Sequence, residues 1–138
     1  MKLEFHHINF VSKDVSKMHD FYTKVLRLEN IPIENFPRPQ ETESTGYSGE
    51  IQFATDGSMQ MHLAEKNLDV AAKHKMQINP VEKGHIAFRT DNLEEFLKIL
   101  KEHDIPFSDY GTAFAKEWHQ VFFYDPEGHV VEVHQKVD

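Results

Sequence analysis

From about Leu3 to Val11, apolar and polar side chains alternate in a stretch rich in β-forming residues, the signature of a half-buried strand. Asp14 is placed to cap a helix running to about Arg27, with Val15, Met18, Phe21, Tyr22, Val25 and Leu26 along one face. Strand-like sequence returns over Tyr47–Thr55, turns at Asp56-Gly57 and continues over Met59–Ala64, which reads as a hairpin. The pattern then repeats. A strand from His85 is followed by a helix capped by Asp91 or Asn92, with Leu93, Phe96, Leu97 and Leu100 on its apolar face. A second hairpin joins Trp118–Tyr124 to His129–Gln135 through Asp125-Pro126-Glu127-Gly128, where proline presets φ and glycine tolerates positive φ. Glu34–Gly46, with two prolines and many polar residues, reads as a mobile loop; Glu65–Lys83 reads as a linker with a short helix within Asn67–Lys75 and a turn at Asn79-Pro80.

The two halves correspond position by position, the mark of a duplicated unit. His7-Ile-Asn-Phe10 matches His85-Ile-Ala-Phe88, Asp14-Val15 matches Asn92-Leu93, and Ile31-Pro32 matches Ile105-Pro106. Ile51-Gln-Phe53 matches Val121-Phe-Phe123, and Met61-His62-Leu63 matches Val131-Glu132-Val133. The spacing between counterparts shortens in the second half of each copy, so the first copy carries the longer middle loop. The expected organisation is one domain over 1–138, with a first module at about 1–66, a linker at about 67–82 and a second module at about 83–138.

A chain of 138 residues with 39% hydrophobic and 12% aromatic content is large enough to bury a core unaided. Its formal charge of −8 argues against non-specific binding to nucleic acid or an anionic membrane. No stretch approaches the ~18 apolar residues of a membrane span, and the N-terminus lacks the apolar core of a secretory signal, so the cytoplasm is the expected compartment. The absence of cysteine removes disulfides, thiolate metal sites and a Cys nucleophile from consideration.

The repeat superposes four residues of metal-ligating type. His7 and His85 open the first strands of the two copies, and His62 and Glu132 occupy the last. Side chains alternate across a sheet, so His7, Asn9 and Val11 share one face while Ile8 and Phe10 take the other; His85, Ala87 and Arg89 likewise oppose Ile86 and Phe88. A single strand histidine is ordinarily a packing or surface residue, and this chain has ten. Four ligand-type side chains at repeat-equivalent positions instead predict one divalent ion held by His7, His62, His85 and Glu132, with Zn, Fe, Ni, Co or Mn all suited to such donors.

The run from His7-Ile-Asn-Phe10 through Asp14 to Phe21-Tyr22-Thr-Lys-Val-Leu26 resembles the opening of the vicinal oxygen chelate superfamily. That superfamily takes in glyoxalase I, fosfomycin resistance enzymes, methylmalonyl-CoA epimerase, extradiol dioxygenases and bleomycin-binding proteins. Gln120-Val-Phe-Phe-Tyr-Asp-Pro-Glu-Gly-His-Val-Val-Glu132 resembles its closing hairpin, so the resemblance covers nearly the whole chain. It implies an α+β fold of two tandem βαβββ modules forming a curved mixed sheet around a central metal site. It also implies metal ligands at His7, His85 and Glu132, often with a fourth at the place of His62, and a homodimer. The position of His62 is usually Glu in glyoxalase I; with His there, Glu132 is the one obvious carboxylate at the metal and the candidate catalytic group.

Trp118, Gln120, Phe122 and Tyr124 share a strand face, and Trp118, Gln120 and Tyr124 are candidate substrate contacts, as is Arg89, which shares the face of His85 and suits an anionic group. His134 lies one pleat beyond Glu132 as a candidate neighbour of the ligands. His6 is expected on the opposite face from His7, His119 away from the site, and His19, His74 and His103 at the surface. The resulting expectation is a divalent-metal-dependent, glyoxalase-like enzyme acting on a small oxygen-bearing substrate, with a lyase or isomerase favoured. An extradiol-type dioxygenase or a fosfomycin-modifying transferase or hydrolase is the alternative within the enzymes, and a metal-free drug- or ligand-binding protein is the alternative outside them.

Overall fold

The computed structural model of the chain describes residues 1–39 and 47–137. Its strands are β1 (Leu3–Ser12), β2 (Glu29–Ile31), β3 (Ile51–Thr55), β4 (Gln60–Glu65), β5 (His85–Thr90), β6 (Phe107–Gly111), β7 (Trp118–Tyr124) and β8 (Val130–Lys136). Among the described residues three α-helices accompany them, α1 (Val15–Asp20), α2 (Val70–Lys73) and α3 (Leu93–Glu102). The strands form one open, curved sheet in the order β2-β3-β4-β1-β5-β8-β7-β6. β1 runs parallel to β4 and β5 parallel to β8, while β1 and β5 meet antiparallel at the centre. The order is the same read outward from β1 or from β5, so the sequence repeat becomes a symmetry of the sheet, and both modules join within one chain. No helix among the described residues is long and apolar enough to cross a membrane.

The second half follows its sequence pattern closely. Asn92 caps α3 by accepting from the Glu95 N–H at 3.1 Å. Leu93, Phe96 and Leu100 then pack on Val121 and Val133 of the sheet, with Phe88 and Phe123 at the margin. Because side chains alternate, burying Val121 and Val133 under α3 turns Gln120, Phe122, Glu132 and His134 to the other, concave face. A second apolar cluster, with Tyr47, Val81, Tyr110 and Phe122 among its members, closes one end of that concavity.

The first half departs from expectation in two ways. Asp14 caps α1 as anticipated, accepting from Lys17 N–H at 3.0 Å, but the α-helix stops at Asp20 and gives way to a π-helical turn over Phe21–Val25. The Thr23 hydroxyl donates to the His19 carbonyl at 2.8 Å, drawing on the acceptor that a continuing α-helix would use. The expected apolar face is therefore broken: Val15 is buried, whereas Phe21, Val25 and Leu26 are 49%, 63% and 52% exposed. The second departure is a bulge in β1, where the pairing with β5 skips from Phe5↔Phe88 to His7↔Ala87. His6 is the extra residue, and it turns toward the concave face instead of away from His7. At the start of the segment expected to be a mobile loop, Glu34 and Asn35 belong to a 3-10 turn over Ile33–Asn35, and residues 40–46 lie outside the described residues.

Gly84, immediately before the candidate ligand His85, has φ +88°, and a Cβ there would come within 2.4 Å of the Asn9 carbonyl oxygen. Backbone conformation and close approach both demand glycine. Gly84→Ala is expected to destabilise the protein by roughly 1–3 kcal/mol in chemical denaturation; an unchanged midpoint would show that β1 and β5 are free to part at this point.

Candidate metal centre

Four strands present the site. β1 and β5, paired at the sheet centre, carry His7 and His85, and their parallel partners β4 and β8 carry His62 and Glu132. His7 and Glu132 are 1% exposed and His62 is buried. The His85 Nε2 lies 3.0 Å and the His7 Nε2 3.5 Å from Glu132 Oε1. A nitrogen or oxygen from each of His7, His85 and Glu132 thus converges on one point, and donors with bonds of ~2.0–2.2 Å to a shared ion stand at comparable separations.

The hydrogen bonds behind these donors bear on what belongs between them. His85 Nδ1 lies 3.0 Å from the Pro80 carbonyl, which can only accept, so Nδ1 carries a proton and Nε2 is the atom turned toward the carboxylate. His7 Nδ1 lies 2.8 Å from His6 Nδ1. Burial pushes the His7 pKa down to about 4 against the pull of Glu132, so its ring is neutral at pH 7. Burial alone would raise the Glu132 carboxyl, but the neighbouring His7 and the hydrogen bonds from His134, His7 and His85 outweigh it and hold Glu132 ionised. The facing atoms, Nε2 of His7 and His85 and Oε1 of Glu132, are all of metal-ligating type, and three of them meeting at one buried point fit a divalent ion, which would take the place of the protons shared there.

Glu132 Oε2 is engaged from behind. His134, fully buried, donates from Nδ1 to that oxygen at 2.6 Å and accepts the Arg89 Nε–H on its own Nε2 at 3.1 Å. Trp118 stacks on the His134 ring at 4.4 Å and 5°, and the Arg89 guanidinium sits 5.1 Å over the indole. His6, His7 and His134 also cluster, but both His134 nitrogens are committed and Arg89 adds positive charge, so this second group does not suit a cation.

His62 stands beside the convergence and outside it. Its ring stacks on His7 at 3.7 Å and 13°, and its Nε2 bonds Gln60 Oε1 at 2.8 Å. Burial holds its pKa well below the ordinary range, so it too is neutral. Of the four metal ligands expected from sequence, the structure brings three to one point. With Oε1 facing two histidines and Oε2 on His134, Glu132, expected as the catalytic carboxylate, has both oxygens occupied.

A cavity of about 70 Å³ opens on the centre, lined by His7, His62, His85 and Glu132 with Asn9, Gln120, Arg38 and the apolar Ile51, Phe114 and Phe122. A neighbouring space of about 60 Å³ shares Arg38, His62 and Gln120 and adds Trp118 and Phe36. Among the expected substrate contacts, Gln120 and Trp118 thus line these spaces. Arg89 does not: it lies behind the site, on His134. Tyr124, at the far end of β7 and 49% exposed, lines neither. His119 pairs with Asp109 at 2.8 Å away from the site, and His74, expected at the surface, packs on Tyr110 and Phe114. Sequence reasoning missed His6, hidden by the bulge, and Arg38, whose loop has no periodicity to read. Asn9 carried a signal, since it shares the His7 face.

The sequence model of the family described as Glyoxalase, the glyoxalase/bleomycin resistance protein/dioxygenase superfamily, matches residues 4–133. No curated protein matches the sequence. Among solved structures, a hypothetical protein from Bacillus halodurans C-125 is similar at 20% identity and a TM-score of 0.70, covering 100% of this chain and 97% of that one. Methylmalonyl-CoA epimerase from Mycobacterium tuberculosis is similar at 12% identity and a TM-score of 0.63, covering 97% and 88%. A superfamily member from Vibrio splendidus 12B01 is similar at 16% identity and a TM-score of 0.58, covering 98% and 100%. At these identities the likeness is one of fold.

Two outcomes are expected from this geometry. His7 titrates near 4 when folded and from 6.5 when unfolded, so between those values the unfolded chain binds the extra proton. Stability of the metal-free protein should therefore fall as pH drops from about 6.5 toward 4, by about 1.4 kcal/mol per pH unit for each such group. Buried His62 contributes with the same sign, and urea denaturation across that window measures the sum. A flat profile would contradict the neutral, buried state of these rings. Second, His134→Phe keeps a ring against Trp118 but removes the donor to Glu132 Oε2. Divalent-ion affinity by chelator competition should drop roughly 10–100-fold, and unchanged affinity would mean that His7 and His85 orient Glu132 unaided.

Proposed function

The chain belongs to the glyoxalase/bleomycin resistance protein/dioxygenase superfamily. From that membership and the meeting of His7, His85 and Glu132 at one buried point, we infer a divalent-metal-dependent enzyme of the glyoxalase-like type. It acts as an isomerase or lyase on a small substrate bearing adjacent oxygens. The observation that carries this reading is the convergence of His7 Nε2, His85 Nε2 and Glu132 Oε1 on a single buried point. A bound divalent ion would polarise the substrate oxygens and make a neighbouring C–H bond more acidic.

The chain's own residues divide the remaining work. His7 and His85 would hold the ion through Nε2 and Glu132 through Oε1, with Pro80, His6 and His134 fixing their orientations. His62 is the proposed proton-transfer group. It is neutral, lines the cavity, and presents Nδ1 as the free base when Nε2–H is given to Gln60. It occupies the repeat position of Glu132 and stands outside the converging ligand atoms, which leaves it available for proton transfer. A metal-free binding protein would have no use for three converging ligand atoms, and this counts against that class.

A second reading has its own observation. Two histidines and one carboxylate, with His62 turned aside, is the donor set of non-haem iron oxygenases, which favours an extradiol-type dioxygenase as the alternative. Reconstitution with Zn, Mn, Co, Ni and, anaerobically, Fe(II) tests both. Roughly one ion per chain is expected, lost in His85→Ala. With a hemithioacetal as substrate, His62→Gln should retain the ion but lose about 100-fold or more in exchange of substrate hydrogen with solvent deuterium. Oxygen uptake with a catechol by the Fe(II) form, and no isomerase activity with any ion, would transfer the assignment to the dioxygenase. Full metal retention by His85→Ala under chelator competition would overturn the ligand set itself.

A further inference from the structure

Two buried amides beside the metal centre have oxygens that the described residues leave unpaired. Asn9 and Gln120 are 5% and 6% exposed, and both line the cavity. Among the described residues, Asn9 Oδ1 and Gln120 Oε1 have no hydrogen-bond partner. Buried polar groups are nearly always paired, so two such exceptions in one cavity call for an explanation. Exchanging the amide oxygen and nitrogen of either side chain does not remove the problem, because an N–H then stands in the same place. The sheet puts the two amides on different sides of the convergence. Asn9 lies across from His62 on β4 and from His85 on β5, whereas Gln120 lies across from His134 on β8.

Arg38 adds charge to the same walls. It lines both spaces, and one guanidinium nitrogen is steadied by the carbonyls of Tyr47 and Gly49 at 2.7 and 2.9 Å. A primary amide can both donate to and accept from a hydroxyl, and a guanidinium matches a carboxylate. The adjoining spaces of about 70 and 60 Å³ suit a molecule of few heavy atoms.

We propose that Asn9 and Gln120 are the specificity-determining pair of this site and that its substrate is a small hydroxycarboxylate. The carboxylate faces Arg38 and the hydroxyl groups are read by the two amides. Ile51, Phe114 and Phe122 accept the hydrocarbon part. This inference rests on the metal-dependent reading above, because the substrate oxygens not met by the amides or Arg38 are those that would meet the ion.

Calorimetry on the zinc-loaded protein with glycerate, lactate, propionate and glycerol tests it. Affinity should fall in the order glycerate, lactate, propionate, as hydroxyls are lost, and glycerol should bind weakly for want of a charge. Asn9→Leu and Gln120→Met should each weaken glycerate by roughly 3- to 10-fold, while leaving propionate within about 2-fold and zinc affinity unchanged. Removal of an unpaired buried polar group should also raise the melting temperature of the ligand-free protein in each variant. Variants that lower the melting temperature and shift every ligand alike would show the amides to be structural, overturning the inference. Wild-type protein that takes up zinc yet binds glycerate and propionate equally would overturn it while leaving the metal reading intact. A protein that takes up no zinc overturns both.

Discussion

Glu132 is a carboxylate shut off from water, and an ion in that position persists only where opposite charge and hydrogen-bond donors surround it. Much of the arrangement on the concave face can be read as the answer to that demand. His7 and His85 come to one oxygen from the two central strands, and His134 comes to the other from the same strand as Glu132. His134 can serve because Arg89 occupies its second nitrogen and Trp118 fixes its plane. Compensation for one buried charge thus reaches β1, β5, β7 and β8, which explains why polar and aromatic side chains fill a region where a sheet of this size would ordinarily carry aliphatic ones.

The symmetry of the sheet conceals an unequal division of labour between its halves. The second half has a regular helix packed on Val121 and Val133. The first half has a helix that turns into a π-helical segment and leaves several apolar side chains in solvent. The same inequality runs through the site. Glu132 and its counterpart His62 sit at equivalent strand positions, yet one has both oxygens engaged around the centre and the other turns its Nε2 to Gln60. Duplication supplies the framework, and divergence at matched positions supplies the chemistry.

Much of this was legible in the sequence. The repeat of His7-Ile-Asn-Phe10 in His85-Ile-Ala-Phe88 marks β1 and β5 as counterparts, and alternation within each strand puts Asn9 on the face of His7 and Arg89 on that of His85; that the two strands pair antiparallel came from the structure. Asn92, Asp14 and the Asp-Pro-Glu-Gly turn act as their local chemistry requires. What stayed hidden shares a physical cause: it depends on events that alternation and periodicity do not encode. The bulge at His6 breaks the two-residue period without any glycine or proline to announce it. The Thr23 hydroxyl diverts a helix whose apolar spacing is intact. Arg89 shares the face of His85, as read, but a 3.1 Å bond to His134 decides that it stands behind the ligands and away from the cavity. Arg38 reaches the cavity from a segment with no pattern at all, through carbonyls of Tyr47 and Gly49 that only the folded chain brings near.

The separation of His7 from Glu132 along the chain carries a consequence of its own. These residues lie near opposite ends of the sequence, and the chain contains no cysteine. An ion bridging them would act as a removable cross-link closing a loop of almost the whole polypeptide, and long loops are those whose closure restricts the unfolded chain most. The clasp that a secreted domain builds from two thiols would here be made of imidazole and carboxylate. A chelator could open it, where a disulfide would need a reductant.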